Sequence, residues 1–211
     1  MKLRTLKKKD APLMLEWMHD PSVVEGLHAD FASKTLEDCE RFIVDAQSSE
    51  TDRHFAIVDD AEDVYLGTVS LKHIASGAAE FAIVVRTAAM GRGIAAEAMR
   101  SILDYGINEL ELQKIYWCVS PKNGRAVRFY DKNVYERTGV PREATGYTEE
   151  ERNGFLWYQV SRHTASRALE DAGPDQLSRR RESPSAAERY NDGGHFLFSA
   201  PASRFHASVS R

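Results

Sequence analysis

The stretch RTAAMGRGIAAEAM, residues 86 to 99, sets two glycines one residue apart ahead of an alanine-rich run without proline. The preceding AEFAIVV reads as a strand, so the glycines fall at a strand-to-helix turn. A helix N-terminus presents unpaired N–H groups and a partial positive charge, which suits phosphate. Gly91 and Gly93 fit an anion cradle there, Ala95 and Ala96 keep the first helical turn slim, and Arg92 can add charge at the rim. A P-loop would need a Gly-Lys-Ser/Thr end, which is absent. A dinucleotide fingerprint would tolerate Ala96, but the preceding strands read as an antiparallel meander, and no acid-ended second strand sits at the right distance. On this motif alone a plain tight turn without a ligand stays open. A second cluster, SPKNGRAVRFYDKN, again places a short helix after a strand end.

The elements that position these clusters follow from periodicity and turn chemistry. KLRTL alternates and opens a sheet. DAPLMLEWMHD predicts an amphipathic helix with Asp10 as N-cap, Pro12 in the first turn, and Leu13, Met14, Trp17 and Met18 at helical spacing. PSVVEGLHADFAS reads as a loop. TLEDCERFIVDAQ predicts a helix capped by Thr35 with Asp38 three residues on; Leu36, Cys39, Phe42 and Ile43 form one face. HFAIVDD, VYLGTVSLKHI and AAEFAIVVR predict three strands, and the short polar links DDAED and ASGA imply antiparallel hairpins. After the glycines a helix spans about Ile94 to Leu110, with Ile94, Ala98, Ile102 and Tyr105 as its buried stripe. KIYWCVS is a strand and NGRAVRFYDKN a short helix capped near Asn123. VYERTGV and FLWYQVSR close the sheet, with TGYTEEERNG as a polar turn between them. Gly26, Gly67 and Gly77 read as lying in or near turns.

A length of 211 residues suits one domain with an appendage, and a net charge of −4 gives no general pull toward nucleic acid or an anionic membrane. Cys39 and Cys118 are far apart and have no His cluster beside them, so neither a disulfide framework nor a metal site is expected, and a reducing cytoplasm fits. The N-terminus lacks the apolar region of a signal peptide, and no segment reaches the ~20 apolar residues of a membrane span. From about Thr164 the chain turns rich in Ser, Arg, Ala and Pro, with Phe196 to Phe198 in its only apolar cluster. Residues 1–163 therefore read as the domain and 164–211 as a polar, flexible tail.

Together the two clusters resemble the acetyl-CoA-binding core of the GNAT family of N-acetyltransferases. The family pattern [Q/R]-x-x-G-x-[G/A] becomes Met90-Gly91-Arg92-Gly93-Ile94-Ala95, and N-x-x-A-x-x-[F/L]-Y-x-K becomes Asn123, Ala126, Phe129, Tyr130 and Lys132. The opening LRTLKKKDAPLMLEWMHDPSV is similar to the branch of ribosomal-protein N-terminal, polyamine and amino-sugar acetyltransferases. Two positions depart: Met90 stands where Gln or Arg is usual, and Val134 where a glycine usually follows the helix. A β-branched residue disfavours positive φ, so an altered turn is expected there.

The resemblance implies an α/β (α+β) fold: a mixed, mostly antiparallel twisted sheet of about seven strands, splayed between strands 4 and 5, with about four helices. It implies acetyl-CoA as cosubstrate, no metal, and direct attack by a primary amine in a ternary complex. An alkylamine is mostly charged at pH 7, so a base must take its proton, and Glu80, where family members often carry a carboxylate, is the candidate. The tyrosine equivalent to Tyr130 protonates the leaving CoA sulfur. Val84 and Val85 bind pantetheine and the oxyanion through backbone N–H groups; Met90, Gly91, Arg92, Gly93, Ile94, Ala95 and Ala96 surround the pyrophosphate; Asn123 and Lys132 complete the cofactor set. The acceptor, a small amine, an amino sugar or a protein N-terminus, enters between loop 22–34 and turn 144–154, where Glu25, Asp30, Glu149 and Glu150 favour a cation. A homodimer stays open; nucleic acid and membrane are not expected as partners. The alternative is a non-catalytic acetyl-CoA-binding module, for which Met90 and the tail speak.

Overall fold

The computed structural model describes residues 1–163 except Gly26, His28 and Ala29, so the tail 164–211 lies outside the described residues. Strands β1 (Lys2–Thr5), β2 (Arg53–Val58), β3 (Tyr65–Ala75), β4 (Ala78–Val85), β5 (Lys114–Val119), β6 (Glu136–Thr138) and β7 (Leu156–Ser161) form one sheet in the order β1-β2-β3-β4-β5-β7-β6. β1 to β4 are an antiparallel meander, as their short links require. β4 and β5 are parallel, yet pair only from Ala78–Lys114 to Glu80–Tyr116. β5 then pairs along its whole length with β7.

Helices cover both faces. On one, α1 (Ala11–Met18), α2 (Pro21–Val24) and α3 (Leu36–Ser48) pack Met14, Trp17, Val23, Cys39 and Ile43 against Ala56, Val58 and Tyr65. On the other, α4 (Ile94–Asp104) and α5 (Gly124–Lys132) lay Ala98, Met99, Ile102, Ala126 and Tyr130 against Leu71, Phe81, Ile83 and Trp117. α6 (Glu149–Gly154) precedes β7.

The expected fold is present, with local differences. Four helices have eight or more residues; α2 and α6 are short additions. α6 lies in the stretch read as a turn and is held by a capping box: Thr148 Oγ1 accepts from Glu151 N (3.2 Å), and Glu151 Oε2 accepts from Thr148 N (2.8 Å). The helix after the glycines ends its α-helical part at Asp104 and continues as a π-turn closed by Leu110 N on Tyr105 O (3.1 Å). Asp10 does not cap α1; its buried carboxylate accepts from Lys7 N (2.8 Å) and from Arg4 (2.7 and 2.8 Å). Leu36 is 42% exposed, leaving Cys39, Phe42 and Ile43 to face inward. Gly67 lies inside β3, not at a turn.

Val134 also departs from expectation. Tyr135 N bonds Tyr130 O (3.2 Å) and Val134 N bonds Asp131 O (3.1 Å), which is the bonding of a Schellman C-cap. Val134 occupies the position that glycine prefers, at φ 59°, 88% exposed. The family turn is therefore kept, and valine is held in a left-handed conformation. Non-glycine residues there store roughly 1–3 kcal/mol, offset in part by the entropy glycine adds to the unfolded chain. Val134→Gly should raise unfolding stability by about 1 kcal/mol in urea titration; a lower midpoint at unchanged slope would contradict the strain.

Candidate active site

The site begins where β5 leaves β4. Arg86 N bonds Leu66 O across the β3–β4 pair (2.9 Å), and bonding direction alternates along an antiparallel strand. Val84, two residues back, therefore turns its amide to Thr68 of β3, while Ile83 and Val85 point theirs to the side that β5 has left. Of the expected pair, Val85 turns its amide to the gap and Val84 does not; Ile83, not named from the sequence, also turns its amide there. Its signal was the alternation counted back from the strand end. Gly67 lets β3 and β4 approach here, since a Cβ on it would lie 2.3 Å from Val84 O.

The glycine turn stands at the open end of the gap. Gly91 and Gly93 both have φ 75°, and a Cβ on either would meet no atom within 4 Å. The demand for glycine is thus conformational, and the space outside is open. Gly93 is the N-cap of α4 and brings no side chain to its first N–H groups. Ile94 and Ala95 point into the core and Ala96 is half-buried, so these three offer backbone, not side chains. Arg92 is exposed, 3.8 Å from Asp59. Met90 packs against the α1–α3 core, away from a rim role. Two ties hold the turn to α1 and α2: Arg86 donates to both oxygens of Glu16 (2.8 Å each), and Thr87 Oγ1 donates to Asp20 (2.6 Å).

Tyr130 is 1% exposed within an aromatic cluster, its ring 5.3 Å from Trp117 and 4.9 Å from Tyr158. Burial pushes its hydroxyl well above the ordinary phenol range, so it keeps its proton at neutral and alkaline pH. Asn123 caps α5, its Oδ1 accepting from Ala126 N (3.1 Å). Lys132 is exposed in the last turn of α5. The indole N–H of Trp117 is buried without a hydrogen-bond partner among the described residues.

Glu80 is 3% exposed and does not face solvent. Its Oε1 accepts from Tyr147 Oη (2.9 Å) and lies 3.0 Å from Lys72 Nζ; Oε2 lies 4.0 Å from His73 Nε2. Burial and then the Glu80 charge push the Tyr147 hydroxyl far above its usual value, so it acts as a donor. Glu80 packs with Tyr147 and lies beside Tyr116, on the face opposite the Tyr130–Trp117 cluster. Glu80 and Tyr130 thus lie on opposite faces of the sheet. Glu25, Asp30, Glu149 and Glu150 are exposed, the last two opening α6. Cys39 and Cys118 are buried free thiols. Among the described residues no His/Cys/Asp/Glu group has the arrangement of a metal site, and no helix is long and apolar enough to cross a membrane.

Comparison with known proteins identifies the family. The family profile described as Acetyltransferase (GNAT) domain matches residues 1–135. A probable N-acetyltransferase, YjcK, of Bacillus subtilis is 36% identical over 93 residues, 43% of this chain and 51% of that protein. The chain thus spans about half the length of that relative. The spermidine N(1)-acetyltransferase of Escherichia coli is 27% identical over 143 residues, 63% of this chain and 70% of that one. The solved structure of spermidine N-acetyltransferase from Vibrio cholerae in complex with CoA and spermine superposes with a TM-score of 0.64 at 21% identity, over 77% of this chain and 96% of that chain. At that identity the likeness establishes the fold. The chain belongs to the GNAT family of N-acetyltransferases.

Gly67 offers a direct check on the strand spacing. Gly67→Ala forces a methyl against Val84 O, and overpacking of this kind costs about 1–3 kcal/mol. Its thermal midpoint should fall by several degrees; an unchanged midpoint would show that β4 shifts freely.

Proposed function

We propose that the chain transfers the acetyl group of acetyl-CoA to a primary amine of a small cationic molecule, with a polyamine as the first acceptor to test. The observation that carries this reading is the gap opened by β5 after Glu80, which has Ile83 and Val85 amides on one wall and the Gly93 helix start at its end. The residues fit the cosubstrate. An open glycine turn accepts a diphosphate, and a strand edge accepts an amide-bearing arm as a β-strand would.

In this reading acetyl-CoA is a substrate and supplies an activated acyl carbon. Tyr130, protonated at the outset, gives its proton to the departing sulfur. Glu80 takes a proton from the ammonium. The acid and base sit on opposite faces of the sheet. The polyamine relatives, together with the acids Glu25, Asp30, Glu149 and Glu150, favour a cationic acceptor; amino sugars and peptide N-termini belong in the same panel. The presence of Tyr130 and Glu80 supports catalysis over a binding-only module.

The test is release of CoA thiol from acetyl-CoA across polyamines, amino sugars and N-terminal peptides, with acetyl-CoA affinity measured by calorimetry. Tyr130→Phe keeps the ring packing and removes the donor. Its kcat should fall by ~10²–10⁴-fold with acetyl-CoA affinity nearly intact. An unchanged kcat where chemistry limits turnover would reject Tyr130 as the acid; no turnover with any amine despite tight acetyl-CoA binding would favour the binding module.

A further inference from the structure

We propose that His73 is the outlet through which the proton taken up by Glu80 leaves the site. This rests on the reading of Glu80 as base. The balance of the reaction requires an exit: R–NH3+ and CH3CO–S–CoA give R–NH–COCH3, CoA–SH and one H+. Glu80 takes the first proton of the ammonium, and the freed nitrogen lone pair forms the C–N bond. The C–S bond breaks with its electron pair going to sulfur, which takes the Tyr130 proton. The second nitrogen proton restores Tyr130. One proton is left on Glu80 in every turnover, and Glu80 is 3% exposed.

Three side chains besides His73 face that carboxylate, and each is closed as a route. Lys72 Nζ lies 3.0 Å from Oε1 as the carboxylate's salt-bridge partner, with its side chain only 10% exposed. Tyr147 already donates to Glu80, and behind it Cys118 Sγ donates to Tyr147 Oη (3.3 Å), buried in the core. Tyr116 is 1% exposed, and burial followed by the Glu80 charge drives its hydroxyl up and keeps it protonated. His73 differs from all of them. Imidazole both takes and releases a proton near neutral pH, and this side chain is 46% exposed with Nε2 4.0 Å from Oε2. That gap is closed by a small side-chain movement or by one water.

The backbone is shaped to aim it. The β3–β4 register breaks between Lys72 and Ala75, and His73 lies in that bulge at φ 53°, in the left-handed region. Its N–H is caught by Asp52 Oδ1 (2.8 Å), and Ile74 N by Thr51 O (2.8 Å). A regular strand would send residue 73 to the face opposite its neighbour Lys72; the bulge returns it to the face of Glu80.

The test uses the full chain with acetyl-CoA and spermidine, or the best acceptor of the panel, in dilute buffer and with added imidazole. His73→Asn keeps a residue that tolerates the left-handed conformation and removes the proton carrier. Expected are a kcat lower by roughly tenfold or more, unchanged KM values, and recovery as imidazole rises, with the parent chain indifferent to imidazole. Wild-type kcat in dilute buffer, or a loss that imidazole does not restore, overturns the outlet. Glu80→Gln separates the two readings. If it is inactive in both buffers while His73→Asn is unaffected, the base stands and the outlet falls; if it keeps wild-type kcat, the base falls and the outlet with it.

Discussion

The site depends on one withdrawal: β5 follows β4 for three residue pairs and then leaves it. Beyond the last pair, Phe81 and Trp117 meet edge-on on one face, with ring centroids 5.5 Å apart. β5 keeps its backbone bonds through β7, while β4 keeps its own through β3. The sheet is therefore complete on either side of a gap in its middle. Parallel strands need a crossover, and here the crossover helix α4 starts at the open end of that gap. Splay, helix start and glycine turn are consequences of a single connection.

The two layers of helices meet at this connection. Arg86 leaves the end of β4 and clamps Glu16 of α1, while Thr87 reaches Asp20 at the start of α2. The turn that presents Gly91 and Gly93 is thereby fastened to the layer opposite α4. Exposed ion pairs contribute little singly. Here their effect is positional, because they fix the chain entering two residues with φ 75°.

Much of this was legible in the sequence because it is written in local chemistry. Alternating apolar residues and short polar links gave the meander, Thr35 and Asn123 marked true helix starts, and the spacing of Gly91 and Gly93 matched a real left-handed turn. What was not legible is non-local or short. α6 is six polar residues, too few for a period, although Thr148 and Glu151 carry its capping box. Gly67 resembles a turn glycine until the carbonyl of Val84 is placed beside it. Glu80 is named from the sequence as a base candidate, but its burial was not legible, because its cover, Tyr147, arrives 67 residues later. Asp10 had the right type for a cap, but Arg4 and Lys7 claim its oxygens first. That Ile83 and Val85 turn their amides to the β5 side follows from the direction of the β3–β4 bonds, which residue types do not encode.

The central claim is that acetyl-CoA occupies the β4–β5 gap with its diphosphate at the start of α4. Amide hydrogen exchange with and without acetyl-CoA tests it residue by residue. The account predicts slowed exchange at Ile83 and Val85 and across Gly91 to Ala96, with Val84 unchanged because β3 already holds its amide. Saturating acetyl-CoA that leaves those amides unprotected, or protects a different surface of the domain, would contradict it.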